Sequence, residues 1–397
     1  MTSESLASGR LVLAFACMLL VAGITNTFPV FFPPLLAEFG GSRAATASTI
    51  TLMWVGGAVF GPLSGWAVAR WNPRVIVMIG LTAATLGFGV GTVARTLRVF
   101  ALAVGVGAGI GVGLTGMVTQ AALLADAYVR RRGVAMGIAF SGAMAGYGLA
   151  PLCQWAITGF GWRAALAGYV AAVAALIPLA WAVLPTRLCT AGGRTVARPK
   201  RGDATVRAVV SSRPFWLLLL VFTMPPIFGG LATTQHTLYL TERGFSAGAA
   251  SAMLGVGGVL AASGRIMFGL MSDRVGAPLA GFVSFGSTFL GLVCLLGMEA
   301  WPARLLAYGY VLFLFLSMGS RATIGSVLVG RIASPAQYGV VFGLLGIGNS
   351  LGSALGPSLA GALYDWTGSY VVIFAAAIGL LGVAVAALTT FCLIAKG

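Results

Sequence analysis

Residues 133–151 read GVAMGIAFSGAMAGYGLAP, and residues 339–357 read GVVFGLLGIGNSLGSALGP. Gly133, Val134, Gly137, Gly142, Gly146, Leu149 and Pro151 recur as Gly339, Val340, Gly343, Gly348, Gly352, Leu355 and Pro357, every pair 206 positions apart. Seven identities at one spacing exceed what a glycine-rich composition produces by chance, so the two stretches are copies of one segment. A second match sets Gly65 and Arg70 against Gly269 and Arg274, 204 positions apart. The chain is therefore a duplication. Its small residues suit helices that approach closely in lipid.

The rest of the composition agrees. Charged residues are 8% of the 397 and apolar residues 59%, with mean hydropathy +0.99. A soluble domain carries about 25% charged residues, so this surface is made for lipid. Apolar runs long enough to cross about 30 Å of hydrocarbon recur from end to end, and such spans must be helical to satisfy their own backbone. The expected fold is an all-α polytopic membrane protein. Twelve transmembrane helices lie near 11–37, 46–69, 75–95, 99–125, 133–158, 163–184, 214–240, 247–270, 278–298, 304–328, 338–363 and 370–394. They form two pseudo-symmetric six-helix bundles, 1–184 and 214–397, joined by a basic cytoplasmic linker over 185–213. Parallel repeats of this kind place a substrate site near midplane between the halves.

The net charge of +16 does not indicate a nucleic-acid partner, because the charges sit in short loops between spans. Sixteen of the 24 Lys and Arg fall on one side. Six fall on the other: Arg43, Arg95, Arg98, Arg163, Arg243 and Arg304. Arg265 and Arg321 lie inside spans. The positive-inside rule then puts both termini and the linker in the cytoplasm of a cell inner membrane, where the basic face meets anionic lipid headgroups. The five cysteines show no paired or metal-ligand spacing, so neither a metal site nor a cofactor is expected. The glycine-rich stretch 104–116 has no strand before it and no Lys-Ser/Thr after it, which rejects ATP binding.

After span 8 the chain reads Gly269-Leu-Met-Ser-Asp273-Arg274-Val-Gly276. This resembles the G-x-x-x-D-R-x-G signature of the major facilitator superfamily, and the likeness covers essentially the whole chain. After span 2, Gly65 and Arg70 persist, but Ala69 and Asn72 replace the Asp and the second Gly. The resemblance implies a cytoplasmic latch of Asp273, Arg274, Gly269 and Arg70, and a monomer. Tyr128-Val-Arg-Arg-Arg-Gly-Val-Ala-Met-Gly looks like the motif opening span 5 in monocarboxylate transporters and the oxalate/formate exchanger. Gly264-Arg265-Ile-Met-Phe-Gly269 falls where those families carry the arginine that binds substrate carboxylate. Other family residues are missing. The span 11 lysine of the exchanger falls at Gly346, the span 1 lysine of the animal transporters at Val30, and their acidic partner to the arginine at Ala261.

Ionisable groups inside a membrane are expensive and are functional candidates by default. No acid falls at midplane, so the two intramembrane arginines leave a positive centre suited to an anion. Arg265 offers a carboxylate a planar fork with two parallel hydrogen bonds. Arg321 is either a second anion contact or a packing group bonded to carbonyls. His236, the one histidine, is a candidate proton carrier or a structural group. Asn26 and Asn349 fall at equivalent places in helices that, the superfamily resemblance implies, line the cavity, and can bond a carboxylate or hydroxyl. Tyr147 and Gln120 are weaker candidates, and Phe28, Phe140 and Phe342 read as packing.

These residues suit a secondary transporter for a small organic anion, a monocarboxylate such as lactate or pyruvate, moved with a proton by alternating access. Anion exchange is equally compatible. Export of hydrophobic compounds needs cavity acids that are missing. A membrane sensor is disfavoured because the sequence offers no soluble domain beyond the linker and keeps the loop signature, and no nucleophile–base constellation points to an enzyme.

Overall fold

The computed structural model describes residues 3–128, 132–186, 206–301, 303–334 and 337–394. Among them, eleven helices are long and apolar enough to cross a membrane: α1 (Ala7–Phe39), α2 (Arg43–Val68), α3 (Pro73–Val93), α4 (Leu97–Ala127), α5 (Val134–Phe160), α6 (Trp162–Val183), α7 (Arg213–Glu242), α8 (Ala247–Val275), α9 (Ala277–Ala300), α11 (Val340–Thr367) and α12 (Tyr370–Ile394). The segment expected as span 10 is present but divided. It runs as α10 (Arg304–Met318), turns at Gly319–Ser320, and resumes over Arg321–Val329. Most of the expected linker, 187–205, lies outside the described residues, and Val206–Val210 forms a short helix at its end.

Helix starts follow local chemistry. The Ser42 side chain accepts from the Ala45 N–H at the head of α2, and Thr96 accepts from Val99 at the head of α4, each satisfying an orphan donor. Asn72 does the same for Arg74, with Pro73 at the first position of α3. This explains the eroded signature after span 2, where Asn72 serves as a cap. The intact copy ends differently. Gly276 takes φ +92, a value that favours glycine, so the second Gly of the motif makes the turn into α9. Asp273 and Arg274 consequently stand on the last turn of α8, not in the loop where the sequence places them.

The chain forms two compact units, Met1–Gly192 with Gln235–Gly258, and Gly193–Thr234 with Val259–Gly397. The division passes through α7 and α8, so the hairpin where these helices meet packs with the first six.

In the first unit, glycines set the spacing. A Cβ on Gly142 would lie 2.5 Å from the Phe15 carbonyl oxygen, and one on Gly146 2.5 Å from the Gly23 Cα. In the second unit the repeat partners make the equivalent approach to α7. A Cβ on Gly348 would lie 2.4 Å from the Thr223 hydroxyl, and one on Gly352 2.3 Å from its carbonyl oxygen. The repeated stretch is thus the face by which α5 meets α1 and α11 meets α7. Within 104–116, Gly105, Gly109 and Gly113 lie against α2, while Gly107 and Gly111 face α3. That stretch is a two-sided packing surface.

The first unit is also tied at both ends of its helices. At one end Arg10 pairs with Asp126 at 3.0 Å and donates to the Val183 carbonyl. Arg74 donates twice to the Leu184 carbonyl. Two arginines thereby cap the C-terminus of α6, where last-turn carbonyls favour cations. At the other end Glu38 accepts from both Trp162 and Arg163, and Arg163 also donates to the Ala94 carbonyl.

Candidate functional site

Two helices are broken at matching places. In α4 the helix stops at Thr115 and restarts at Met117, with Gly116 extended between them. The Gln120 side chain donates to the freed Thr115 carbonyl at 3.0 Å, so it repairs the break. In span 10 the turn falls at Gly319, 203 positions after Gly116 and close to the repeat spacings. Interrupted helices at corresponding positions of two halves are the best pointer to a transporter binding site.

The span 10 break lies against Arg265. A Cβ on Gly319 would lie 1.8 Å from the Ala261 carbonyl oxygen and 2.9 Å from the Arg265 amide nitrogen. One on Gly264 would lie 1.8 Å from the Leu316 carbonyl oxygen. Helices α8 and α10 therefore cross with backbone on backbone, and Arg265 projects from the crossing. Its side chain is half-buried, its Nε is shielded from solvent, and no hydrogen bond reaches that Nε. An arginine has five donors and no acceptor, so the group can bond only to acceptors. Arg265 has no carboxylate partner among the described residues.

Arg321 is differently placed. It opens the second segment of span 10, donates to the Pro225 carbonyl at 3.1 Å and to Thr288 Oγ1 at 3.4 Å, and lies 4.8 Å over the Phe228 ring. Below it Ser284 bonds Ser320 at 2.6 Å and Thr288 bonds Ser317 at 2.8 Å. Ser317 and Ser320 also return to carbonyls one turn back. These hydroxyls take backbone acceptors locally, which stabilises the break. Arg321 joins α7, α9 and span 10 in one polar seam.

The remaining candidates divide between the units. In the first, Asn26 donates to the Ala143 carbonyl at 2.8 Å, and Tyr147 is buried against Gly258. His236 is 1% exposed, and its Nε2 donates to the Ala250 carbonyl at 2.9 Å, which fixes the tautomer with the proton on Nε2. In the second, Asn349 is exposed, on α11. Asp273 and Arg274 are exposed on the last turn of α8, and Asp273 makes no hydrogen bond or ion pair among the described residues. Arg70 stacks on Trp66 at 4.8 Å. Phe28 and Phe140 are packing residues, Phe140 against a cluster of Ala14, Leu124 and Ala139. Phe342 meets Phe222 edge to face at 5.9 Å.

Sequence reasoning passed over Glu242. It ends α7 and accepts from Arg43 at 2.7 Å, while the same guanidinium donates to the Gln235 side chain at 2.8 Å. A signal was present: Gln235 and Glu242 are seven apart, two helical turns on one face. Their partner in α2 could not be read from spacing.

Among known proteins, the family model described as Major Facilitator Superfamily matches residues 13–324. The chain is 27% identical over 371 residues to "Monocarboxylate transporter 13" of Bos taurus, covering 92% of this chain and 84% of that one. It is 26% identical over 388 residues to "Gallate transporter" of Pseudomonas putida, covering 89% and 84%. A solved structure of the nucleoside transporter NupG superposes with a TM-score of 0.75 at 12% identity, covering 98% of this chain and 99% of that one. At that identity the likeness speaks for the fold alone.

Proposed function

The chain belongs to the major facilitator superfamily of membrane transporters, and from that premise we propose that it moves a small organic anion by alternating access. The substrate class is a monocarboxylate such as lactate or pyruvate. One observation carries this reading: a half-buried arginine within a membrane span, beside a helix break, that makes no hydrogen bond or ion pair among the described residues, whereas Arg321 is bonded to Pro225 and Thr288. The guanidinium fork of Arg265 receives the carboxylate in two parallel hydrogen bonds. The missing acid at Ala261 leaves that charge to the substrate.

Uptake is coupled to a proton, carried by His236 or by the substrate entering as its acid. Asn26, Asn349 and Tyr147 assist binding. Asp273, Arg274, Gly269 and Arg70 serve the cytoplasmic latch. Both termini face the cytoplasm of an inner membrane, and the protein works as a monomer. Arg70 and Arg74, stacked on the rings of Trp66 and Trp181, meet anionic lipid headgroups there. Each such cation contributes about 1 kcal/mol of attraction.

The named relatives suggest one variation. A gallate transporter among them makes aromatic acids the second substrate class, with the same Arg265 contact. The test is uptake of labelled lactate into proteoliposomes, with and without an inward proton gradient, for wild type and Arg265→Ala. Gradient-stimulated uptake lost in the variant supports the reading. Competition by aromatic acids but not by lactate moves the substrate to the aromatic class. No flux with any carboxylate sinks the anion assignment.

A further inference from the structure

We propose that the head of α3 is a site for one anionic phospholipid, with its phosphate on Arg74 and one acyl chain in a groove along the helix. The site refines the reading under which Arg70 and Arg74 meet anionic headgroups, and it rests on that reading but on no transported substrate.

The groove holds about 430 Å³ and is lined by Val75, Met78, Ile79, Thr82, Ala83 and Leu86. It is concave because the short Thr82 and Ala83 side chains lie between Ile79 and Leu86. Val75, Ile79 and Leu86 are exposed, so the groove opens on the lipid-facing side of the helix. From Val75 to Leu86 the chain advances 11 residues, which is roughly 16 Å of helix. Half of a hydrocarbon core of about 30 Å is about 15 Å. The groove is therefore as long as an acyl chain within one leaflet.

What heads the groove makes it selective. Arg74 precedes Val75 and stands one turn before Met78 on the same face. Its Nε and Nη2 donate to the Leu184 carbonyl at 2.9 and 2.6 Å, and its guanidinium lies 5.3 Å from the centre of the Trp181 ring. The fork is thereby held in one orientation, and its Nη1 makes no hydrogen bond among the described residues. Arg70, at the same end of the helices, is exposed and has no ion pair among the described residues. Trp66, Trp71 and Trp181 are exposed around these two cations, and indoles settle at headgroup depth. A pinned cation beside indoles, at the head of an acyl-length groove, matches the phosphate and tail of one lipid.

The duplication supplies the contrast. At the 204-position offset, Val75, Ile79 and Leu86 become Leu279, Val283 and Leu290 of α9, which are exposed as well. Arg74 becomes Pro278. An apolar stripe at this place is thus ordinary lipid-facing surface, and the pinned cation is what the first copy adds. A second copy of the chain does not suit the face. An isologous contact through it would bring Arg70 and Arg74 of both protomers to one depth. The described acid of that end, Asp126, is already held by Arg10, so these like charges would stay unneutralised.

The test is native mass spectrometry of the full chain, released from micelles that contain phosphatidylglycerol and phosphatidylcholine with the same acyl chains. The wild type is expected to retain one phosphatidylglycerol at least about tenfold in preference to phosphatidylcholine, the effect of one charge-assisted contact. Arg74→Gln is expected to lose that preference. Ala83→Phe and Ile79→Trp fill the groove and are expected to weaken retention of the single lipid, with unchanged elution on size exclusion as the fold control. Ile79 faces lipid, so its variant reports even where Ala83→Phe does not fold. Equal retention of the two lipids by the wild type overturns the proposal, as does a preference that survives Arg74→Gln. Competition by glycerol 3-phosphate alone would overturn it in favour of a free phosphate. A preference lost in Arg74→Gln but untouched by either groove variant overturns the site and leaves only general headgroup attraction. Indifference to Arg70→Gln, Arg74→Gln and both groove variants sinks the headgroup reading as well. A dimer that Ile79→Trp dissociates would give the groove to a second copy.

Discussion

At the scale of residues, the two intramembrane arginines differ in their contacts. Both leave Nε dry and unbonded, but Arg321 is also spread over Pro225, Thr288 and Phe228. Lysine keeps the charge of Arg265 but loses the planar fork. Arg265→Lys is therefore expected to raise the KM for carboxylate uptake at least about tenfold, since a charge-assisted bond contributes about 1.5–3 kcal/mol. Proteoliposome kinetics would read it, with unchanged elution on size exclusion as the fold control. Arg321→Gln is expected to act on stability instead, lowering the unfolding free energy by about 1–3 kcal/mol through carbonyl and hydroxyl groups left unpaired. Thermal unfolding in detergent checks this. A large KM effect with an unchanged melting temperature would return Arg321 to the substrate.

Among elements, the crossing of α8 and α10 is the tightest contact near the site. Gly319 and Gly264 each face a carbonyl oxygen that a Cβ would approach to 1.8 Å. Alanine at either position must push the helices apart, an overpacking cost of about 1–3 kcal/mol, and would carry the Arg265 backbone with it. Gly319→Ala is expected to lower both the melting temperature and the transport rate. Gly137→Ala is the contrast, for nothing lies within 4 Å of its Cβ position, and α5 should gain up to about 1 kcal/mol of helix propensity. Equal effects of the two substitutions would mean that the crossing is looser than its geometry. The break beside it was legible only as a Gly-Ser pair within an apolar run. Its cause is three-dimensional: Ser284 and Thr288, contributed by α9, meet the hydroxyls of Ser320 and Ser317.

At the scale of the whole molecule, the first unit is tied at both ends by charge, but unequally. The Arg10–Asp126 pair is 16% and 9% exposed, whereas Arg163 and Glu38 are each 40% exposed. Breaking a buried pair from one side costs about 3–5 kcal/mol, while an exposed pair is worth about 0–1 kcal/mol. Asp126→Asn is expected to destabilise the protein by several times more than Glu38→Gln, as read by denaturant unfolding in lipid nanodiscs. Similar losses would show that the Trp162 and Arg163 contacts of Glu38 count for more than their exposure suggests.

The sequence by itself determined the class of fold, the duplication and the boundaries of most helices, because these follow from properties local to the chain. Crossing lipid requires a long apolar helix, capping residues act within a turn, and a repeat is visible as identity at a fixed spacing. It singled out Arg265 for a similar reason, since a charge in an apolar run stands out without any partner being known. Only the tertiary structure decided what each polar group touches. Gln120 repairs a helix break, Arg321 joins three helices, and Glu242 shares Arg43 with Gln235. These partners lie on other turns or other helices, and hydrogen bonds reach only about 3 Å. Which groups come that close is set by helix crossings, and the crossings are set by where glycine lets two backbones meet.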